Sequence, residues 1–333
     1  MATAQDKAIP TANRADEPFA TTFSLPKAIA FIDSAAQRWE SKYNCVTCHT
    51  NGLYLASRAQ VSTQDPAYTK ARNFAASYLE SYIVKNEKPK GQRGAIEGLV
   101  ATTSFLTISD IAVSGKLSDI TTKSLDYIWK QQDKSGAWTD WLKCKWPPFE
   151  TDDHFGVTLA ALALGHTPRA YRKKTVARRA EQRLRNYLRT HPATNPHQKG
   201  MELWASTKLN KLVSKNKRKQ SSEEPKRLQR PDGGWRLVDL GKGQWKQSKD
   251  DDKDLPSDAY ATGFTIFVLR QIGVPKDHPQ IQKGLAWLRK NQRQSGRWFV
   301  RSPRRDGKHF ISHAATQFAV MALVACDEGA AKK

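Results

Sequence analysis

The chain has 333 residues, a net charge of +23 and a hydrophobic fraction of 38%. That length allows one large or two ordinary domains. No run of about 18 apolar residues suggests a membrane-spanning helix, residues 1–20 lack the apolar core of a signal peptide, and four cysteines are too few for a disulfide framework.

The hydrophobic period is helical, and no segment alternates convincingly with period 2, so the pattern predicts an all-α chain. A polar arm over 1–24, expected to be disordered, precedes one domain over 25–328 and a tail over 329–333. Six helical hairpins are expected in order. The first pairs 26–41 with 50–61, and the second pairs 66–84 with 95–114. The third pairs 119–132 with 153–164, across a loop holding Trp138, Trp141 and Trp146. The fourth pairs 170–188 with 199–212. The fifth has a weak first helix at 223–229 and a clear second at 257–272. The sixth pairs 279–291 with 312–326.

Segments 215–226 and 246–254 are almost wholly polar and read as irregular. The acidic run in the latter lacks the glycine and closing glutamate of an EF-hand. Second helices such as 155–164 and 260–269 are apolar almost all round, while first helices keep a charged face. The second helices therefore form an inner layer and the first an outer one.

Three copies of one pattern mark the hairpin turns: Gln132-x-x-x-Gly136-x-Trp138, Gln229-x-x-x-Gly233-x-Trp235 and Gln292-x-x-x-Gly296-x-Trp298. A repeated helix–turn–helix unit cannot bury its apolar face alone, so neighbouring units must stack. In the first, degenerate copy stands Cys45-Val46-Thr47-Cys48-His49, the spacing used to attach c-type haem. Cys45 and Cys48 would bond the haem vinyls, and His49 would ligate iron. Zinc is the alternative, and needs a fourth ligand such as His313. A thioredoxin-like dithiol would need a βαβ setting, which is absent. Cys144 and Cys326 read as singletons.

These repeats, with inner-helix sequences such as Asp258-Ala-Tyr-Ala-Thr-Gly263, resemble the α/α-toroid superfamily over about residues 25–328. That superfamily includes squalene–hopene cyclases, protein prenyltransferase β-subunits and the complement thioester domain. The resemblance implies a single α6/α6 toroid, with inner and outer rings of six helices. It implies that the repeat Gln and Trp residues staple outer helices to neighbouring loops.

With every hairpin of one hand, the inner helices run parallel and their positive ends meet at one rim. Near those starts lie His49, Glu97, Asp152, Asp153, His154, Met201, Asp258 and His313. Ring closure then sets His313 near His49. His313, then His154, are the favoured distal haem ligands, with Met201 and His197 as further possibilities.

Glu150-Thr151-Asp152-Asp153 resembles the D-x-D-D motif of class II terpene cyclases. The resemblance implies Asp152 as general acid and Asp153 as its partner. Glu150 departs from that motif, and the cyclases place substrate between two helical domains. Helix capping is the competing role of Asp152 or Asp153. Against the zinc prenyltransferases, His313 and Asp258 fall near matching ligands, but Tyr260 stands where their cysteine would be. The thioester motif is absent.

Residues 168–230 hold 19 Lys or Arg against 4 Asp or Glu. Along the fourth outer helix run Arg172, Lys173, Lys174, Arg178, Arg179, Arg183, Arg185 and Arg189. Base-reading aromatics are not interleaved there, which disfavours nucleic acid. An acidic redox partner or an anionic membrane suits the pattern better. The expected function is electron transfer or haem-dependent redox chemistry by an exported, periplasmic-type protein whose leader is absent from this numbering. An apolar, isoprenoid-like ligand is expected in a cavity lined by Phe155, Trp204 and Phe264. The alternatives are a cyclase-like lipid binder using Asp152, a zinc-containing basic scaffold, and a cytoplasmic setting if Met1 is native.

Overall fold

A computed structural model describes residues 13–87, 95–139, 141, 147–149, 152–242, 245, 255–302 and 310–327. Cys144, Trp146, Glu150, the segment 246–254 and the tail 329–333 lie outside the described residues. The helices in chain order are α1 (Leu25–Tyr43), α2 (Asn51–Ala59), α3 (Pro66–Ile83), α4 (Ala95–Ser114), α5 (Asp119–Gln131) and α6 (Asp153–His166). Then follow α7 (Arg169–Arg172), α8 (Thr175–Thr190), α9 (Pro196–Ser206), α10 (Lys215–Arg227) and α11 (Leu237–Leu240). The last are α12 (Ala259–Gln271), α13 (Pro279–Lys290) and α14 (Phe310–Ala325). Among the described residues there is no strand, only two isolated bridges.

The inner helices form a closed circuit. α2 packs on α4, α4 on α6, α6 on α9, α9 on α12, α12 on α14, and α14 back on α2. Their burial explains their composition. α6 is buried from His154 through Leu164 without a break, and α12 from Ala259 through Leu269. The outer helices bury only a stripe, as α8 does with Ala177, Ala180, Leu184, Tyr187 and Leu188. Each outer helix also leans on the inner helix of the preceding pair: α5 on α4, α8 on α6, α10 on α9, α13 on α12 and α1 on α14. α4 is long and apolar enough to cross a membrane, unlike the sequence expectation, yet 72% of its apolar window is buried inside the fold. It is a core helix of the ring.

The three repeats act as staples. Gln132, Gln229 and Gln292 each donate from Nε2 to the carbonyl of their own repeat glycine, at 2.9, 2.8 and 2.9 Å. Gln229 also reaches the Gln280 carbonyl at the start of α13, and Gln292 the Ser24 carbonyl at the start of α1. Trp138, Trp235 and Trp298 each donate Nε1–H to a carbonyl ten residues earlier: Ile128, Pro225 and Leu288. Gly136, Gly233 and Gly296 have φ of 99°, 91° and 90°, which L-residues avoid. At Gly296 an added Cβ would also strike the Lys27 carbonyl of α1. The ring closes backbone against backbone there.

Several boundaries differ from the sequence reading. The fourth inner helix begins at Pro196, earlier than expected, because Asn195 caps it by accepting from the Gln198 N–H. The polar segment expected to be irregular is helix α10, capped by Ser214. Tertiary ion pairs hold it: Lys217 Nζ lies 2.7 Å from Glu202 and Lys199 Nζ 2.6 Å from Glu224. The fourth outer helix breaks after α7, where Lys174 has an extended ψ of 143°. The N-terminal arm is fixed from Asn13 onward. Arg297 grips the Glu17 carboxylate at 2.6 Å, both side chains being nearly fully buried, and Ala20 N–H bonds the Gln292 carbonyl.

Candidate functional site

The C-x-x-C-H segment is the turn between α1 and α2. Asn44 ends α1 in the left-handed region, with its N–H on the Glu40 carbonyl. Asn51 then stitches the turn: its Oδ1 accepts from the Thr47 N–H at 3.0 Å and its Nδ2 donates to the Cys45 carbonyl at 2.9 Å. Cys45 is half-buried, and burial pushes its thiol above the usual range, opposed by a Trp39 hydrogen bond. Cys48 is buried, within electrostatic reach of the Tyr260 phenol. Cys45, Cys48 and Cys326 are thiols and not disulfide-bonded.

His49 and His313 do meet, as ring closure predicts. His49 Nδ1 lies 2.8 Å from Thr50 Oγ1, and the same hydroxyl lies 3.1 Å from His313 Nδ1. Gln317 of α14 donates to the carbonyls of His49 and Thr50 at 3.3 and 3.0 Å, pinning the turn to the opposite end of the chain. A hydroxyl has one proton to give. It can satisfy only one imidazole as donor, so at least one neutral ring must carry its own proton on Nδ1. That ring presents an unprotonated Nε2, the form that ligates metals. Around His49 stand Trp39, at 5.0 Å between centroids and edge-on, and Phe149 at 6.2 Å.

The other rim residues are placed differently. Asp152 caps α6: Oδ1 accepts from the His154 N–H at 2.9 Å and Oδ2 from Gln198 Nε2 at 2.8 Å. Both oxygens accept, so the carboxylate serves as a helix cap. Asp153 opens the first turn of α6. His154 Nε2 lies 3.3 Å from the Glu202 carboxylate. Burial pushes Glu202 up, but hydrogen bonds from His154 and Lys217 outweigh it and leave it below the usual range. His197 bonds the Tyr260 hydroxyl at 2.9 Å and stacks on Phe264 at 4.7 Å, and burial lowers its pKa to about 3. It is a neutral core histidine. Met201 and Glu97 are buried. These contacts join the first turns of α9 and α12 and those of α14 and α2, so within each of these pairs the inner helices start at the same end.

The residues expected to line a cavity instead pack on one another. Phe155 stacks near His197 at 6.5 Å, Trp204 meets Phe267 at 5.0 Å, and Phe264 meets Phe318 at 5.2 Å. All six rings are buried. The sequence marks such residues as inward-facing but not whether facing rings meet. A cavity of about 410 Å³ lies elsewhere, on the flank beside the fifth and sixth turns, and Asp258 is among its lining residues. Sequence reasoning gave no sign of it, because its wall draws on residues as distant as Phe19 and Trp287. Among the described residues no three His, Cys, Asp or Glu side chains are grouped to hold a metal ion. The zinc set of Cys45, Cys48, His49 and His313 is therefore not assembled.

No protein-family profile matches the sequence, and no curated protein matches it. Solved structures do. An unsaturated glucuronyl hydrolase from Bacillus sp. GL1 is 11% identical, with a TM-score of 0.55 over 90% of this chain and 96% of that one. The ent-copalyl diphosphate synthase of Streptomyces platensis is 11% identical, with a TM-score of 0.56 over 83% of this chain and 50% of that one. The type II terpene cyclase MstE from Scytonema is 13% identical, with a TM-score of 0.50 over 89% and 98%. The chain has an α/α-toroid fold. Hydrolases and cyclases share it at these identities, so the toroid carries over and the chemistry does not.

Proposed function

We propose that this toroid carries one covalent haem c on its first turn and acts in electron transfer or haem-dependent redox chemistry. The observation that carries the reading is the donor set of that turn. Two thiols and an imidazole stand on one loop, yet they do not converge as ligands of a single ion. Zinc would need convergence at about 2.3 Å from each sulfur. Haem c asks for the opposite: thiols apart at two vinyl groups, and only the imidazole on iron.

Cys45 and Cys48 would hold the macrocycle, and His49 would bind iron through Nε2. The group supplies one-electron transfer when bound. The chain's own part is to orient the imidazole. With iron on Nε2, His49 would give its Nδ1–H to Thr50, fixing the ring plane, and Thr50 would give its own proton to His313 Nδ1. Trp39 and Phe149 flank the imidazole. In that arrangement His313 would carry its proton on Nε2 and set the tautomer of His49 through Thr50.

The basic face supports docking to an acidic redox partner or an anionic membrane. All four acids of residues 168–230 are already paired: Glu181 with Arg185, Glu202 with Lys217, Glu223 with Lys226 and Glu224 with Lys199. Exposed cations such as Lys173, Arg178, Arg179 and Arg189 form no ion pair among the described residues and face solvent. An exported location goes with thioether attachment.

The test is expression with a cytochrome-maturation system, followed by intact mass and pyridine haemochrome spectra. One haem is expected per chain, lost in Cys45→Ser and in Cys48→Ser. A folded chain that leaves that system without haem would sink the reading.

A further inference from the structure

The flank cavity is separate from the C-x-x-C-H turn and has its own polar logic. It has a volume of about 410 Å³, within the usual range of small-molecule sites. The N-terminal strap forms part of its wall, and the strap is held there by burial of Glu17 against Arg297.

The cavity's acceptors are already used within the protein. Asp232 accepts from the Gly234 N–H at 3.0 Å, from the Ser257 hydroxyl at 2.8 Å and from Trp287 Nε1 at 3.1 Å. Asp258 accepts from the backbone N–H groups of Leu237 and Ala261. Its donors are less spent. Arg236 forks onto Asp239, but Arg293 forms no salt bridge among the described residues. Among the described residues it donates to the Glu17 backbone carbonyl, since the Glu17 carboxylate is taken by Arg297 and the Ser295 N–H. Arg293 is half-buried nonetheless. Its guanidinium is aligned by rings, 4.0 Å from the Phe19 centroid and 5.9 Å from that of Phe299. Arg301 adds a third cation to the wall.

A half-buried guanidinium that feels the Glu17 charge but bonds no carboxylate among the described residues, opening on a cavity whose own carboxylates are engaged, calls for an anion. The rest of the wall calls for a flat body. Phe19 remains 52% exposed and Trp287 half-exposed, both on the cavity. We propose that this cavity binds a small organic carboxylate with a flat apolar body, the carboxylate on Arg293 and the body against Phe19 and Trp287.

The test is calorimetric titration of the full chain with naphthalene-2-carboxylate, the neutral naphthalene-2-carboxamide and inorganic phosphate. The carboxylate should bind about tenfold or more tightly than either comparator, and more weakly as salt rises. Arg293→Gln should lose about tenfold in affinity, with part of it restored in Arg293→Lys. Phe19 is exposed, so Phe19→Ala should fold and still weaken binding. Equal binding of the amide, equal binding of phosphate, or no binding of the carboxylate at millimolar concentration would each overturn the proposal. The ligand comparison on the unaltered chain decides it even if Arg293→Gln does not fold. None of these readouts depends on haem.

Discussion

The turns after the outer helices divide into two kinds. At the third, fifth and sixth, the Gln-Gly-Trp repeat spends its polar groups on the scaffold. Gln292 alone makes three hydrogen bonds, to the Ser24 N–H, the Ser24 carbonyl and the Gly296 carbonyl. The first turn has no such glutamine, glycine or tryptophan. Asn51 stitches it from within, and the side chains left over are two thiols and an imidazole. Reactive groups stand where the repeat has been given up, and the ring's closure is carried by the sixth turn next door.

The sharpest way to break that contrast is at a glycine. Gly296→Ala forces an L-residue to φ near 90° and drives its Cβ into the Lys27 carbonyl, where neither backbone can yield cheaply. It should cost about 3 kcal/mol or more of stability, read as the denaturant midpoint. Gly115 is the control. It also has positive φ, at 68°, but nothing lies within 4 Å of an added Cβ. Gly115→Ala should cost only about 1 kcal/mol. Similar losses at the two sites would show that close approach at the seam is not what the repeat glycine serves.

The stitches themselves come next. Gln292→Ala removes three bonds that tie the sixth turn to α1, and should cost about 2 kcal/mol in global stability. Asn51→Ala removes two bonds local to the first turn, and should cost about 1 kcal/mol while raising the alkylation rate of Cys45. A global loss at Asn51 equal to that at Gln292 would mean the first turn is as structural as the sixth.

Legibility follows the same division. The staples could be read from sequence because a period repeats and each copy needs the same residues. The meeting of His49 and His313 could be read because a ring leaves only one neighbour for its ends. Helix α10 could not: only its partners Glu202 and Lys199 on α9 give its charges a place. The strap was hidden for the same reason, since Glu17 and Arg297 stand 280 residues apart. Asp152 was legible as a cap, but its second acceptor contact, from Gln198, required the fold. The flank cavity lies where strap and sixth turn meet, so no local pattern announces it.

Two pairs of rim contacts extend the comparison to pH. At the seam, His49 and His313 are half-exposed around the Thr50 hydroxyl. Across the ring, His197 is buried on Tyr260, and burial lowers its pKa from 6.5 to about 3. Between those values the unfolded chain holds a proton at His197 that the folded chain does not. Stability therefore falls as pH drops from 6.5 toward 3, and this group contributes no slope above 6.5. Asp258 works the other way: burial raises its carboxyl from 3.8 to about 7, so its effect lowers stability as pH rises through that window. Total stability mixes the two, but a difference between chains does not. His197→Phe keeps Asp258 and loses the Tyr260 bond, a cost that does not vary with pH in this range. Relative to the parent chain, the variant should gain about 1 kcal/mol between pH 6.5 and 5.5. Urea midpoints at pH 7.5, 6.5 and 5.5 measure it, and a constant difference across the three would place the acid-sensitive group elsewhere on the rim.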